Sequence, residues 1–445
     1  MLPMVMDLEA LPRIQFYAKC VQSIIVNIGD VYHYIHPELM DEFTLAVQFL
    51  HPPLFSRLIS LDCHLYGSRA IRSAGIWLAA RPPKISLSFL GPTDATCLPV
   101  IRSLCHHSAS LSSLSLHIGE TSGFSEALNE CFVNALKPLV NIVCLTAHGK
   151  ILLTPAVWTC IAQLPNVKEV RSPYSEGFDL DSAWHGFCPP TLDAPFPSLH
   201  TIEMGIPSQL AVMVLGCYPL SGVRFLRLLL TDAEDHSPTE QSLIQIVTIC
   251  KDLRGLAILT PCFDLPVLKL PLPPDLTQLL IYTDGVESIN NADLVDLCSK
   301  MPNLEDLGLI PVSPPINDDP PSLTLEVIRS IANVCPRLGR ASLYINTDIL
   351  DIQFSFDDPP LPSNHPLSVL GFLPSRVRDC PAVATYLCAL FQDARRAPTI
   401  VTRAIHFDEY FNWEGRYFCD GFEDSEEEWG NVAEFMRTLR RRVIS

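Results

Sequence analysis

One phrase constrains this chain more than any other: Leu294 to Leu309, Leu-Val-Asp-Leu-Cys-Ser-Lys-Met-Pro-Asn-Leu-Glu-Asp-Leu-Gly-Leu. Leu294, Leu297 and Cys298 fall on one face of a helix. Pro302 stops that helix, because proline cannot continue it and biases Met301 away from helical angles. The period then changes. Leu304, Leu307 and Leu309 follow Leu-x-x-Leu-x-Leu, and on a strand of period two the last two point the same way. A helix, a proline and a short strand make one unit of a leucine-rich-repeat type.

With Leu304 as template, apolar residues followed by apolar residues at +3 and +5 occur at Val21, Leu58, Leu111, Ile142, Val167, Leu199, Val223, Leu253, Leu276, Leu304, Leu338 and Leu367. A weaker anchor is placed at Lys84, where Leu87 and Phe89 fit. The mean step is about 29 residues, at the long end for such repeats. Proline punctuates several units just ahead of the strand, as in Leu164-Pro165-Asn166-Val167, Phe196-Pro197-Ser198-Leu199 and Cys335-Pro336-Arg337-Leu338. Helix caps are expected at Ser237, in a box with Glu240, at Asn291, at Thr324, and at Ser425 in a box with Glu428. The asparagine or cysteine that usually stands at +8 is replaced by Thr231, Pro261, Asp284 and Val312, with Asn346 as the exception. No asparagine ladder can run the length of the array, which is therefore expected to be irregular. Ser172–Pro195, Pro311–Ser322 and Asp357–Pro366 read as long loops that interrupt it.

Composition narrows the function classes. Hydrophobic residues make up 48% and charged ones 18%, enough apolar surface for a continuous core. The net charge of −18 argues against a general nucleic-acid binder, which needs a basic face. Acids at Asp7 and Glu9 stand where a secretory signal needs basic residues. The uncharged run around Met204–Val223 is broken by Pro207 and Pro219 and reads as buried core rather than a membrane span. Without secretion, the 16 cysteines are expected to be reduced thiols in a cytoplasmic or nuclear protein.

The motifs of catalysis are mostly missing. Neither Gly-x-Gly-x-x-Gly nor Gly-x-x-x-x-Gly-Lys occurs, nor Gly-x-Ser-x-Gly, nor Cys-x-x-Cys. Cys105, Cys217, Cys250, Cys298 and Cys335 recur at fixed offsets before the anchors and read as small core fillers. His33 and His36 could share a helical face, but Pro37 argues for a surface segment. His106-His107 closes a helix, where a cation suits the dipole. Acids from Glu423 and arginines from Arg437 to Arg442 sit at opposite ends of a terminal helix, each where the macrodipole favours it. No enzyme activity, cofactor or metal is expected; an enzyme or metal protein using the His33 or His64 neighbourhood is the minor alternative.

The irregular Leu-x-x-Leu-x-Leu units with their Cys-Pro and Leu-Pro-Asn punctuation resemble the leucine-rich region of fungal F-box proteins of the mushroom type. The opening Leu11-Pro12-Arg13-Ile14-Gln15-Phe16-Tyr17-Ala18-Lys19-Cys20-Val21 is similar to the segment that follows the F-box in that family. The resemblance implies a non-catalytic protein-interaction module like the substrate-recognition part of a ubiquitin ligase subunit. An F-box docks a cullin-ligase adaptor and should precede Leu11, where only ten residues stand. The chain as given is thus expected not to bind the adaptor, which becomes a partner only if an F-box is missing from this gene model. A scaffold without any ligase link is the alternative.

The expected fold is α/β, an irregular leucine-rich-repeat solenoid with a parallel concave sheet and helices on the convex side. Residues 1–20 form a lead-in, 21–374 the solenoid and 375–445 a helical cap. Strand positions +2, +4 and +6 point away from the core, so a protein partner is expected at Phe225, Arg227, Leu229, Leu280, Tyr282, Arg340 and Tyr344, since aromatic and arginine side chains anchor interfaces. The early strands offer Asp62, His64, Ser115, His117, Thr146 and His148, a more polar strip. The chain's own C-terminal segment covering the late surface is the competing expectation. Neither nucleic acid nor membrane is an expected partner.

Overall fold

The computed structural model describes residues 11–28, 55–66, 71, 74, 77–90, 97–107, 109–118, 126–172, 187–193, 195–218, 220–231, 240–260, 267–312, 320–348, 360–362, 364–372, 375–391, 398–401 and 423–444. The chain divides into two compact units, one of residues 1–203 with 217–222 and one of residues 204–216 with 223–445. The division falls inside the 21–374 array read from the sequence.

In the first unit, helix α1 (Leu11–Ala18) leads into β1 (Ser23–Ile28), followed by β2 (Ser60–Tyr66), β3 (Lys84–Leu90), β4 (Ser113–Ile118), β5 (Cys144–Ala147) and β6 (Glu169–Ser172). Helices α2 (Cys97–Ser103), α3 (Glu126–Leu136) and α4 (Pro155–Ala162) intervene. Each strand pairs in parallel with the next in the chain. Strand β7 (Thr201–Ile206) runs across the division. The second unit continues with α5 (Ser208–Gly216), β8 (Phe225–Leu230), α6 (Glu240–Ile249), β9 (Gly255–Leu259), β10 (Gln278–Tyr282), α7 (Asn291–Ser299), β11 (Asp306–Ile310), α8 (Val327–Val334), β12 (Arg340–Leu343), β13 (Val369–Gly371), α9 (Cys380–Leu390), β14 (Thr399–Val401) and α10 (Glu423–Ile444). From β8 onward all pairings are again parallel and sequential. This is the α/β leucine-rich-repeat solenoid. The sheet runs one strand past Leu373, to β14, where the leucine pattern has already faded.

The register shows why the +3 and +5 leucines recur. In the second unit Leu226, Leu256, Leu279, Leu307, Ala341 and Leu370 form one cross-strand row, and Leu228, Ile258, Ile281, Leu309 and Leu343 the next. Every one of them is fully buried. In the first unit Leu61, Ile85, Leu114 and Leu145 do the same. One anchor needs correction. Leu87 pairs with Cys63 and Leu116, so the residue equivalent to Leu58 and Leu111 is Pro82, two before Lys84.

A backbone device replaces the missing asparagine ladder. In most units the carbonyl one residue after the anchor accepts two successive amide donors of the following unit. Ser112 O takes Val143 N at 2.7 Å and Cys144 N at 3.1 Å, Thr277 O takes Glu305 N at 2.7 Å and Asp306 N at 3.0 Å, and Glu305 O takes Gly339 N at 2.8 Å and Arg340 N at 3.1 Å. Pro83 lacks an amide hydrogen, so Ile59 O receives only Lys84 N. The turns ahead of the strands are thereby stitched together without any particular side chain.

Several caps differ from expectation. Asn290, not Asn291, caps α7, accepting from Ala292 N and Asp293 N, with Asp293 completing the box. Asn291 reaches instead to the next unit, where it exchanges two hydrogen bonds with Thr324 at 2.7 and 2.9 Å. Thr324 therefore ties two units and does not cap α8, whose first residue follows Glu326. Ser425 lies buried within α10, and Glu428 accepts from Val377 N at 2.6 Å and from the Arg376 guanidinium at 2.9 Å. Trp429 stacks on Phe372 at 4.4 Å and donates to Ser375 O at 2.8 Å, which seats α10 on the last strands. Among the cysteines, Cys250, Cys298 and Cys335 are buried fillers, whereas Cys105 is half-buried and Cys217 exposed. His107 is also buried, and burial, then the nearby Arg81 and His106 charges, push its imidazole down to about 4. It is a neutral core histidine and not a cation at a helix end. No helix among the described residues is long and apolar enough to cross a membrane. Ser237, His33 and His36 lie outside the described residues, as does most of Ser172–Pro195.

Candidate interaction surface

Each strand shows one face to the apolar rows and the other outward, and the outward face is the candidate site. In the second unit the first outward row is Phe225, Gly255, Gln278, Asp306 and Arg340. Phe225 and Arg340 are half-buried. Gly255 has no side chain because the Phe225 ring lies over it: an added Cβ would sit 2.5 Å from the ring. Gln278 donates to Asp306 at 3.3 Å, and both are buried.

The second outward row is Arg227, Ala257, Leu280, Gly308 and Ser342, in which Arg227 is half-buried and Leu280 lies down over Gly308. A third row runs through Leu229, Leu259, Tyr282 and Ile310, all buried. Tyr344 follows β12 and is buried as well; burial, then Glu287 nearby, pushes its phenol up to about 12.

Of the seven residues expected to meet a partner, Phe225, Arg227 and Arg340 are thus half-accessible. Leu229, Leu280, Tyr282 and Tyr344 are not accessible. The reason is local. Small residues on adjacent strands let the larger side chains fold flat, and the turn over 284–288 brings Val286 and Ile289 into the buried set beside them. Alternation alone gives the direction of a side chain, not what lies over it.

The outward face of the first unit is different in kind. Its rows are Ser23, Ser60, Lys84, Ser113 and Cys144, then Ile25, Asp62, Ser86, Ser115 and Thr146, then His64, Ser88 and His117. Ile25 is 72% exposed. His64 Nε2 stands 3.4 Å from Asp62 Oδ2, Ser115 Oγ 2.8 Å from His117 Nε2, and Arg171 Nη2 2.7 Å from Glu169 Oε2. The Asp62, His64, Arg171 and Glu169 side chains keep about a third of their surface open. His148 is buried. No group of three metal-ligating side chains forms among the described residues.

No family model matches the sequence, and no curated protein matches it. Among solved structures the chain is similar to one from the yeast Rad7–Elc1 complex, at 14% identity over 89% of this chain and 93% of that one, with a TM-score of 0.43. It is also similar to the leucine-rich repeat-containing protein LegL7 from Legionella pneumophila, at 11% identity over 70% of this chain and 97% of that one, with a TM-score of 0.35.

Proposed function

We propose that the chain is a non-catalytic protein-interaction module that uses the outward face of its sheet. The observation that supports this reading is the asymmetry of the strands: one face closed by leucine rows, the other offering accessible Phe225, Arg227 and Arg340 and the polar strip of the early strands. Side chains carried on rigid strands form a preorganised surface, and arginine and phenylalanine anchors suit a protein partner. The finer reading is the substrate-recognition part of an F-box type ubiquitin ligase subunit, acting in the cytoplasm or nucleus. A scaffold without a ligase link is the alternative.

Binding by purified full chain, with Phe225→Ala and Arg227→Ala introduced together, tests the first reading against any captured protein partner. Unchanged affinity in a folded double variant would refute a site there. Co-purification with a cullin adaptor tests the second: capture of the adaptor supports the ligase reading, and its absence favours the scaffold.

A further inference from the structure

We infer that the free side of β1 is a dimerisation edge, where a second copy of this chain lays its own β1 antiparallel to the first about a twofold axis at Ile25. This goes beyond the partner site at Phe225 and Arg227 and stands independently of it. β1 is the first strand of its sheet and pairs on one side only, with β2. No described residue meets the backbone donors and acceptors of its other side. Val21 N bonds Ala18 O at 3.2 Å, the same turn that Leu304 N and Met301 O make at 3.1 Å between α7 and β11, so α1 is the helix of its own unit and stands behind β1. Edge strands are ordinarily guarded by charge or proline, and Ser-Ile-Ile-Val-Asn-Ile has neither. Ile25 is 72% exposed. Ile24 continues the inward row of Leu61, Ile85, Leu114 and Leu145, yet it is half-buried where they are buried, because its row has no further member.

The strand matches itself. Residues paired across strands share a face, so a twofold pairing of β1 with its copy centres on a residue and not between two. Centred on Ile25, the two outward isoleucines meet, and inward Ile24 of each copy faces inward Val26 of the other, which completes both ends of the apolar row. Centred on Val26, exposed Ile25 would instead stand opposite Asn27. The axis is perpendicular to the sheet, so both inward faces lie on one side and each α1 stands behind the junction, where exposed Phe16 and Tyr17 are the apolar side chains at hand. Charge permits the approach despite a net −18: residues 11–28 hold Arg13 and Lys19 and no acid. The outward acid beside Ile25 is Asp62 on β2, engaged by His64 at 3.4 Å. Its two copies would be three strand spacings apart, roughly 14 Å, beyond the screening length in physiological salt. This self-match is what favours a second copy over a foreign strand.

The full chain in sedimentation equilibrium at micromolar concentrations is expected to show a monomer–dimer equilibrium, as suits a small interface. Ile25→Lys sets two like charges opposite each other and should weaken the dimer at least about tenfold, without unfolding the chain because the position is exposed. Circular dichroism checks that it is folded. In a Cys20→Ser background, Ile25→Cys should cross-link to its own copy under mild oxidation, since directly opposed residues are within disulfide reach. Ser23→Cys should not, because the two copies of residue 23 would stand four positions, roughly 13 Å, apart along the strands. A chain that stays monomeric, a dimer that survives Ile25→Lys, or equal cross-linking at 23 and 25 overturns the inference. A monomer whose β1 is instead taken by a strand of another protein overturns it too, while the interaction-module reading is tested separately at Phe225 and Arg227.

Discussion

Leu307 offers the sharpest test of the packing. It is fully buried, with Leu279 on one side and Ala341 on the other in its cross-strand row. Leu307→Ala removes three carbons, worth about 2.4 kcal/mol at ~0.8 kcal/mol for each buried group. The void adds to this. Strands fixed on both sides by the ladder from Thr277 O to Glu305 O cannot collapse inward, and Ala341 has no length to fill the space. A residual cavity of ~60 Å³ at ~24 cal/mol per Å³ contributes about 1.5 kcal/mol, for a total near 4 kcal/mol. Trp429, stacked on Phe372 in the same unit, reports unfolding by fluorescence in a urea titration. An unchanged denaturant slope with a loss below ~1 kcal/mol would refute the claim that this row is close-packed between strand and helix.

Two more outcomes follow from named contacts. His107 takes a proton near 4 when folded but in the ordinary imidazole range when unfolded, so between those values the unfolded chain binds more protons and stability falls as pH falls. Its share is on the order of 3 kcal/mol, and His107→Leu should flatten the stability profile between about pH 6.5 and 4; an unaltered slope would contradict it. Gly255→Ala drives a methyl into the stiff Phe225 ring and should cost about 1–3 kcal/mol, whereas Gly308→Ala meets only the movable end of Leu280 at 2.9 Å and should cost less. Thermal melts that rank the two the other way would show the ring is not held there.

The leucines at +3 and +5 announce the fold because their spacing is imposed by burial on one strand face, and burial leaves a compositional mark. Twelve of the anchors stand where the register needs them. Lys84 misled because the equivalent position is a proline, whose neighbours happen to supply Leu87 and Phe89 two residues late. The ladder through Ser112 O and Thr277 O leaves no such mark, being made of backbone that any residue supplies. Asn290 and Asn291 were equally good caps by type; the choice rested on Thr324, thirty-three residues away. The outward face is legible only as a direction. That Tyr282 is closed over while Asp62 and His64 stay open depends on glycines and turns from other units, which no local pattern encodes.

Parallel pairing of each strand only with the next in the chain has a consequence for how damage spreads. In the second unit, from β8 to β14, no strand crosses over another, so each unit borrows its order from two neighbours. A lesion in one unit is then felt as a lost interface on either side and fades with distance along the array. The same arrangement allows whole units to be gained or lost during evolution: excising Leu276 to Asn303 would bring β9 against β11 with Leu256 facing Leu307 and Ile258 facing Leu309, both rows still in phase.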